Sequence, residues 1–157
     1  MNKISYNLIL WLGVISIPLI LLFLNIHSVM FDEGWYHKQY VKDGIYDFWN
    51  KSFVDEETHN ILLFYKGKQL DTSLFNEKEK GHLSDVKTLY DLARFLFYSA
   101  IIVLIGACVL LCKKKEILTI FKRGALLTII VILLLMLMAA TDFTSFFTVF
   151  HKIVFTN

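Results

Sequence analysis

The sequence has only one proline, seven glycines and two cysteines in 157 residues. So little proline and glycine excludes collagen-like and low-complexity disordered classes. Two cysteines cannot build a disulfide framework, so the fold must stand without one. Charge is scarce as well. Asp, Glu, Lys and Arg supply 19% of the residues, and a net charge of +2 is too small for the basic footprint of a nucleic-acid binder. No nucleic-acid partner is expected. What the chain has in excess is apolar surface: 56% hydrophobic residues and a mean hydropathy of +0.55. One small core cannot bury that surplus, so the composition points to a membrane protein.

Three stretches carry no charge: residues 8–26, 95–112 and 124–141, of 19, 18 and 18 residues. Each approaches the roughly 20 apolar residues that a helix needs to cross a bilayer core. Water is absent there, so backbone groups must pair within the segment, and all three are expected to be helices. The first is too long for the apolar part of a cleaved signal peptide, and no small-x-small site follows it, which favours a retained anchor. Pro18 falls in mid-span and is expected to kink that helix. The connection 113–123 holds five basic residues against one acid, Glu116, and by the positive-inside rule it is cytoplasmic.

The resulting organisation is an all-α membrane protein of three transmembrane helices, with a small, mostly helical extracytoplasmic cap between the first and second. The expected boundaries are a cytoplasmic N-terminus (1–7), a first span (8–26), the cap (27–94), a second span (95–112), a basic cytoplasmic loop (113–123), a third span (124–141) and an outer tail (142–157). The cap has no proline and is dense in aromatics, among them Trp35, Tyr36, Tyr40, Tyr46, Trp49 and Tyr65. Such side chains settle at the membrane–water boundary. A helix is expected from Asp55 as N-cap to Lys66, with Gly67 as its stop. Asn76 and Glu79 have the spacing of a capping box, so a second helix should begin near Glu77 and run into the second span. Cys108 and Cys112 read as small packing residues, and Lys152, Arg94, Tyr40 and Asn60 as boundary anchors.

Chemistry is carried best by the histidines. His27, His37 and His59 read as boundary or surface residues. His82 and Asp85 fall at i and i+3 of the expected second cap helix, which puts them on one face. His151 follows the third span. If the hairpin turns at Leu118, His82 lies 36 residues before the turn and His151 lies 33 after it. For unbroken helices the two would then differ in height by about 5 Å. Two imidazoles and a carboxylate suit proton transfer near neutral pH, one ring taking a proton and the other returning one. Metal or haem ligation, or no chemical role, fits the spacing too. Neither a Gly-x-Ser-x-Gly elbow nor a His-Glu-x-x-His run is present.

The segment Leu74-Phe75-Asn76-Glu77-Lys78-Glu79-Lys80-Gly81-His82-Leu83-Ser84-Asp85-Val86-Lys87 resembles the first signature of the lipoprotein intramolecular transacylase (Lit) family, bacterial integral membrane enzymes. The run Phe150-His151-Lys152-Ile153-Val154-Phe155-Thr156-Asn157 resembles its second, a Phe-His followed by aromatics and an asparagine. The family's pattern continues past that point into a fourth span. The resemblance implies an acyltransferase that acts on diacylglyceryl-modified lipoproteins at the outer face of the bacterial cell membrane, in contact with membrane lipid. It would move the sn-2 acyl chain to the α-amine of the N-terminal cysteine and leave a lyso-form lipoprotein. His82 and His151 would be the catalytic pair, Asp85 a further motif position, and no cofactor or metal is implied. Two other readings stay open: a lipid- or partner-binding membrane protein without catalysis, and a lipoprotein or lipid ester hydrolase.

Overall fold

The structure, a computed structural model, describes residues 2–154. Six helices follow in order: α1 (Lys3–Met30), α2 (Glu33–Lys42), α3 (Ile45–Phe48), α4 (Lys51–Tyr65), α5 (Glu77–Leu110) and α6 (Lys114–Val154). Among the described residues there is no strand, as expected for an all-α membrane protein. Three helices, α1, α5 and α6, are long and apolar enough to cross a bilayer. Two compact units result: the described parts of Met1–Phe23 and Leu92–Asn157, and Leu24–Asp91.

The first unit packs α1, α5 and α6 through small residues. Lipid tails are as apolar as leucine, so helices in a bilayer associate by close contact rather than by expelling water. Leu10, Ile17, Ala107, Leu111 and Ile120 form its buried cluster. A Cβ on Gly13 would lie 3.0 Å from the Ala107 Cβ, and one on Gly124 would lie 2.9 Å from the Ile17 Cβ. At Gly124 only hydrogen fits, while at Gly13 a methyl group would press its neighbours back by a few tenths of an ångström. The rest of α6 is bare of protein: only 6% of its most apolar window is buried, which fits a lipid-facing helix. Arg123 stacks over Trp11, 5.6 Å from the ring centroid, the kind of boundary contact that a cation makes with an indole face.

Three local expectations change. Residues 113–123 do not form a loop, because α5 ends at Leu110 and α6 begins at Lys114. No glycine or proline interrupts that stretch, Glu116 suits a helix's first turn, and lysine stems can reach the headgroups from a helix. The turn therefore lies some six residues before Leu118. At the other end, Asp142 leaves helical geometry at φ −157° and ψ 86°. Its Oδ1 accepts from the Ser145 amide at 2.9 Å, so it caps a new helical stretch. The assumption of unbroken helices fails there, and the height estimate for His82 and His151 that rested on it no longer applies. Pro18 is buried within α1, which continues across it.

Candidate functional site

The cap unit is built from local devices that fix where each helix starts. Asp32 caps α2 by accepting from the Trp35 amide at 3.1 Å. Gly44, at φ 68°, takes the left-handed conformation between α2 and α3. Asn50, not Asp55, caps α4, accepting from the Ser52 and Phe53 amides at 2.9 and 3.4 Å. Asp55 instead accepts a hydrogen bond from the Tyr46 hydroxyl. At the far end Gly67 is the stop, at φ 96°. The Lys68 amide reaches the Leu63 carbonyl at 3.0 Å and the Gly67 amide reaches that of Phe64 at 2.9 Å, a Schellman closure.

Asn60 clamps the segment leading to α5. Its side chain donates to the Asp71 carbonyl at 3.2 Å and accepts from the Asp71 amide at 3.1 Å. Ser73 then donates to the Asp71 carboxylate, which holds that group below its ordinary pKa. The capping box closes as expected: the Asn76 amide donates to Glu79 at 2.9 Å, and the Glu79 amide donates to Asn76 at 3.0 Å. His82 therefore sits in the second turn of a helix whose start is doubly anchored.

His82 is half-buried and lines two cavities. One, of about 480 Å³, is bounded by Leu74, Phe75, Lys78, Glu79 and Leu83. The other, of about 290 Å³, has Tyr36, Tyr40, Thr58 and Tyr65 in its wall beside His82. Burial raises the Tyr36 phenol and pushes Tyr65 up to about 12, so both stay protonated at neutral pH. Asp85 follows His82 by three residues on α5 and is half-buried too. His151 lies in the stretch beyond Asp142, half-buried, 5.8 Å from the Phe147 ring, which stacks in turn on Phe143 at 6.0 Å. The end of the second signature, 155–157, lies outside the described residues.

The other histidines all have partners. His27 Nδ1 pairs with the Tyr90 hydroxyl at 2.8 Å, and Phe31 meets the Tyr90 ring edge-on at 5.5 Å. His59 meets Glu33 at 2.9 Å on an exposed surface. His37 Nδ1 lies 2.8 Å from the Tyr46 hydroxyl. Tyr46 already donates its one hydroxyl hydrogen to Asp55, so His37 Nδ1 is the donor to the Tyr46 oxygen. Tyr40 and Asn60 are not headgroup anchors: one bonds Thr58 at 2.9 Å and the other clamps the loop. The tyrosines around His82 went unseen in the sequence. Their only signal was aromatic density, which the membrane boundary explains equally well.

Among the described residues no group of three or more His, Cys, Asp or Glu side chains could hold a metal ion. A half-buried imidazole that shares a largely apolar cavity with the phenols of Tyr36 and Tyr65 suits proton transfer.

The model of the family described as lipoprotein intramolecular transacylase Lit matches residues 11–157. The solved structure of the membrane-integral lipoprotein intramolecular transacylase Lit from Bacillus cereus superposes with a TM-score of 0.88 at 23% identity, covering 99% of this chain and 75% of that one. A variant of the Bacillus cereus protein, with one histidine changed to arginine, gives 0.82 at 22% identity, covering 98% and 71%. No curated protein sequence matches the chain significantly.

Proposed function

Since this chain belongs to the Lit family of lipoprotein intramolecular transacylases, a multi-pass membrane family of acyltransferases, we propose that it carries out O-to-N acyl transfer on lipoproteins whose N-terminal cysteine bears a diacylglyceryl group. The sn-2 acyl chain moves from glycerol oxygen to the cysteine α-amine, leaving a lyso-form lipoprotein. The observation that carries the reading is His82: it falls on the family's first signature and lines cavities walled by apolar and phenolic side chains.

The chemistry balances without a further reactant. The amine nitrogen attacks the ester carbonyl, a C–N bond forms, the C–O bond to glycerol breaks, and one proton passes from nitrogen to the departing oxygen. An α-ammonium has a pKa of about 7.7–8.0 and an imidazolium about 6.5, so the first proton transfer is only mildly uphill. His82 and His151 are the proposed acid–base pair, one taking the ammonium proton while the other supplies the glycerol oxygen. Asp85 joins them for its place one turn from His82, where a carboxylate can set the imidazole tautomer. Nucleophile and ester share one molecule, so holding a near-attack geometry is the enzyme's main task. The site is proposed to face outward, where the ester and amine of a membrane-bound lipoprotein sit at headgroup level.

The test is co-expression with a reporter lipoprotein in a bacterium without N-acylating enzymes of its own. Transfer conserves mass, so fragmentation must locate the chain. An N-acyl lyso peptide that disappears with His82→Ala and with His151→Ala supports the pair. A peptide that stays diacylglyceryl-modified, with the wild-type protein present in the membrane, contradicts the reading.

A further inference from the structure

Two cavities of the cap share two side chains. The first is the 290 Å³ cavity beside His82, with Tyr36, Tyr40, Thr58 and Tyr65 in its wall. The second is an open, largely apolar groove of about 670 Å³, bounded by Ile26, Val29, Met30 and Trp35 among others. Tyr36 and Tyr65 line both. They stand where an apolar approach meets the histidine.

A phenol has one proton to give. Thr58 spends its proton on the Val54 carbonyl at 2.8 Å, so Tyr40 must be the donor in its 2.9 Å contact with Thr58. Tyr46 donates to Asp55, and the Tyr90 hydroxyl is engaged with His27. Among the described residues, the hydroxyls of Tyr36 and Tyr65 make no hydrogen bond. Their rings are held nonetheless. Tyr36 meets Trp35 edge-on at 5.2 Å, and Tyr65 is 7% exposed, with its ring 5.8 Å from Phe64. The two phenols line both cavities, so their uncommitted hydroxyls are open to whatever enters, and a ligand there can supply the missing acceptor. Burial above all, with Tyr40 near Tyr36 and Tyr36 near Tyr65, keeps both phenols protonated.

We propose that Tyr36 and Tyr65 are the oxyanion donors of the acyl transfer, their hydroxyls hydrogen-bonding the ester carbonyl oxygen as the amine adds to its carbon. This rests on the transacylase reading above. The carbonyl oxygen gains negative charge as the C–N bond forms and loses it when the glycerol oxygen departs, so fixed donors act on the transition state more than on the bound ester. His82, in the wall of the same cavity, then handles protons. The groove that the phenols also line offers apolar surface to match an acyl chain.

The test measures kcat and KM for the purified full chain in vesicles, with a synthetic diacylglyceryl lipopeptide as substrate. The variants are Tyr36→Phe, Tyr65→Phe, the double substitution and Tyr46→Phe as a control that loses a hydroxyl elsewhere in the cap. At least one single variant should lose on the order of 10²-fold in kcat with KM nearly unchanged, while Tyr46→Phe keeps its rate. Wild-type kcat in both singles and the double overturns the proposal, as does an equal loss in the control. Should a phenylalanine variant unfold, 3-fluorotyrosine at the same position keeps the packing and strengthens the donor. A changed kcat then supports the proposal and an unchanged one overturns it. If His82→Ala is inactive while the tyrosine variants are unaffected, only the donor assignment falls. If the wild-type chain transfers nothing, the transacylase reading falls with it.

Discussion

Gly124 is where a single methyl group should do the most damage. It lies early in α6 against α1, and an added Cβ would stand 2.3 Å from Ile17 Cδ1, 3.0 Å from its Cγ1 and 2.9 Å from its Cβ. Rotating the side chain can move Cδ1 and Cγ1, but Cβ moves only with the backbone, so α1 and α6 must separate. Overpacking of this kind costs about 1–3 kcal/mol. For a chain of this length each kcal/mol lowers Tm by about 2–4 °C, giving a drop of about 2–12 °C for Gly124→Ala. Tryptophan fluorescence during heating in one fixed detergent reads it. Gly106→Ala is the control, since nothing lies within 4 Å of a Cβ there; its Tm should stay level or rise, as alanine is the better helix former. Ile17→Val in the Gly124→Ala background removes Cδ1 and should recover part of the loss, because the contact between the two Cβ atoms persists. A Gly124→Ala protein that melts with the wild type would refute the close α1–α6 approach.

Other outcomes follow from the cap. Asn76→Ala removes the acceptor of the Glu79 amide and should cost about 0.5–2 kcal/mol, read as faster amide exchange over the first turns of α5; unchanged exchange would mean the box contributes nothing. Gly67→Ala places a side chain at φ 96° and should destabilise by about 1 kcal/mol or more, whereas a level melting curve would argue against the Schellman closure. Tyr65, pushed up to about 12 from an ordinary 10, favours the folded state while protonated. That contribution is whole below pH 10 and disappears as pH rises toward 12, so Tm should decline across that window and phenolate absorbance should appear late. Tyr65→Phe should flatten the decline; an equal decline in the variant would assign it elsewhere.

The legible parts of the fold were those with a local cause. Three uncharged stretches, the Asn76–Glu79 box and the stop at Gly67 each rest on residues a few positions apart, and each appears in the structure. The start of α4 was misread because Asp55 has a good capping side chain, yet that carboxylate is occupied by Tyr46, nine residues earlier. The tight turn before Lys114 was hidden for a related reason: a run of lysines looks like a loop until its stems are allowed to reach water from a helix. The phenols around His82 could not be read at all. Tyr36 on α2, Tyr65 on α4 and His82 on α5 line one cavity only in the folded cap, and no spacing rule joins positions 36, 65 and 82. Of the proposed site, the sequence offered the histidines and Asp85, while the cavity wall beside His82 came from tertiary structure.

The central claim is that the acyl chain stays on the molecule it started from and ends on nitrogen. The most direct measurement gives the purified chain an equal mixture of two diacylglyceryl lipopeptides, one with an isotopically labelled sn-2 acyl chain and a distinguishable peptide. Tandem mass spectrometry then locates the label. The account predicts labelled chain on the α-amine of its own peptide and none on the other. Label released as free fatty acid, or found on the unlabelled partner's nitrogen, would contradict it.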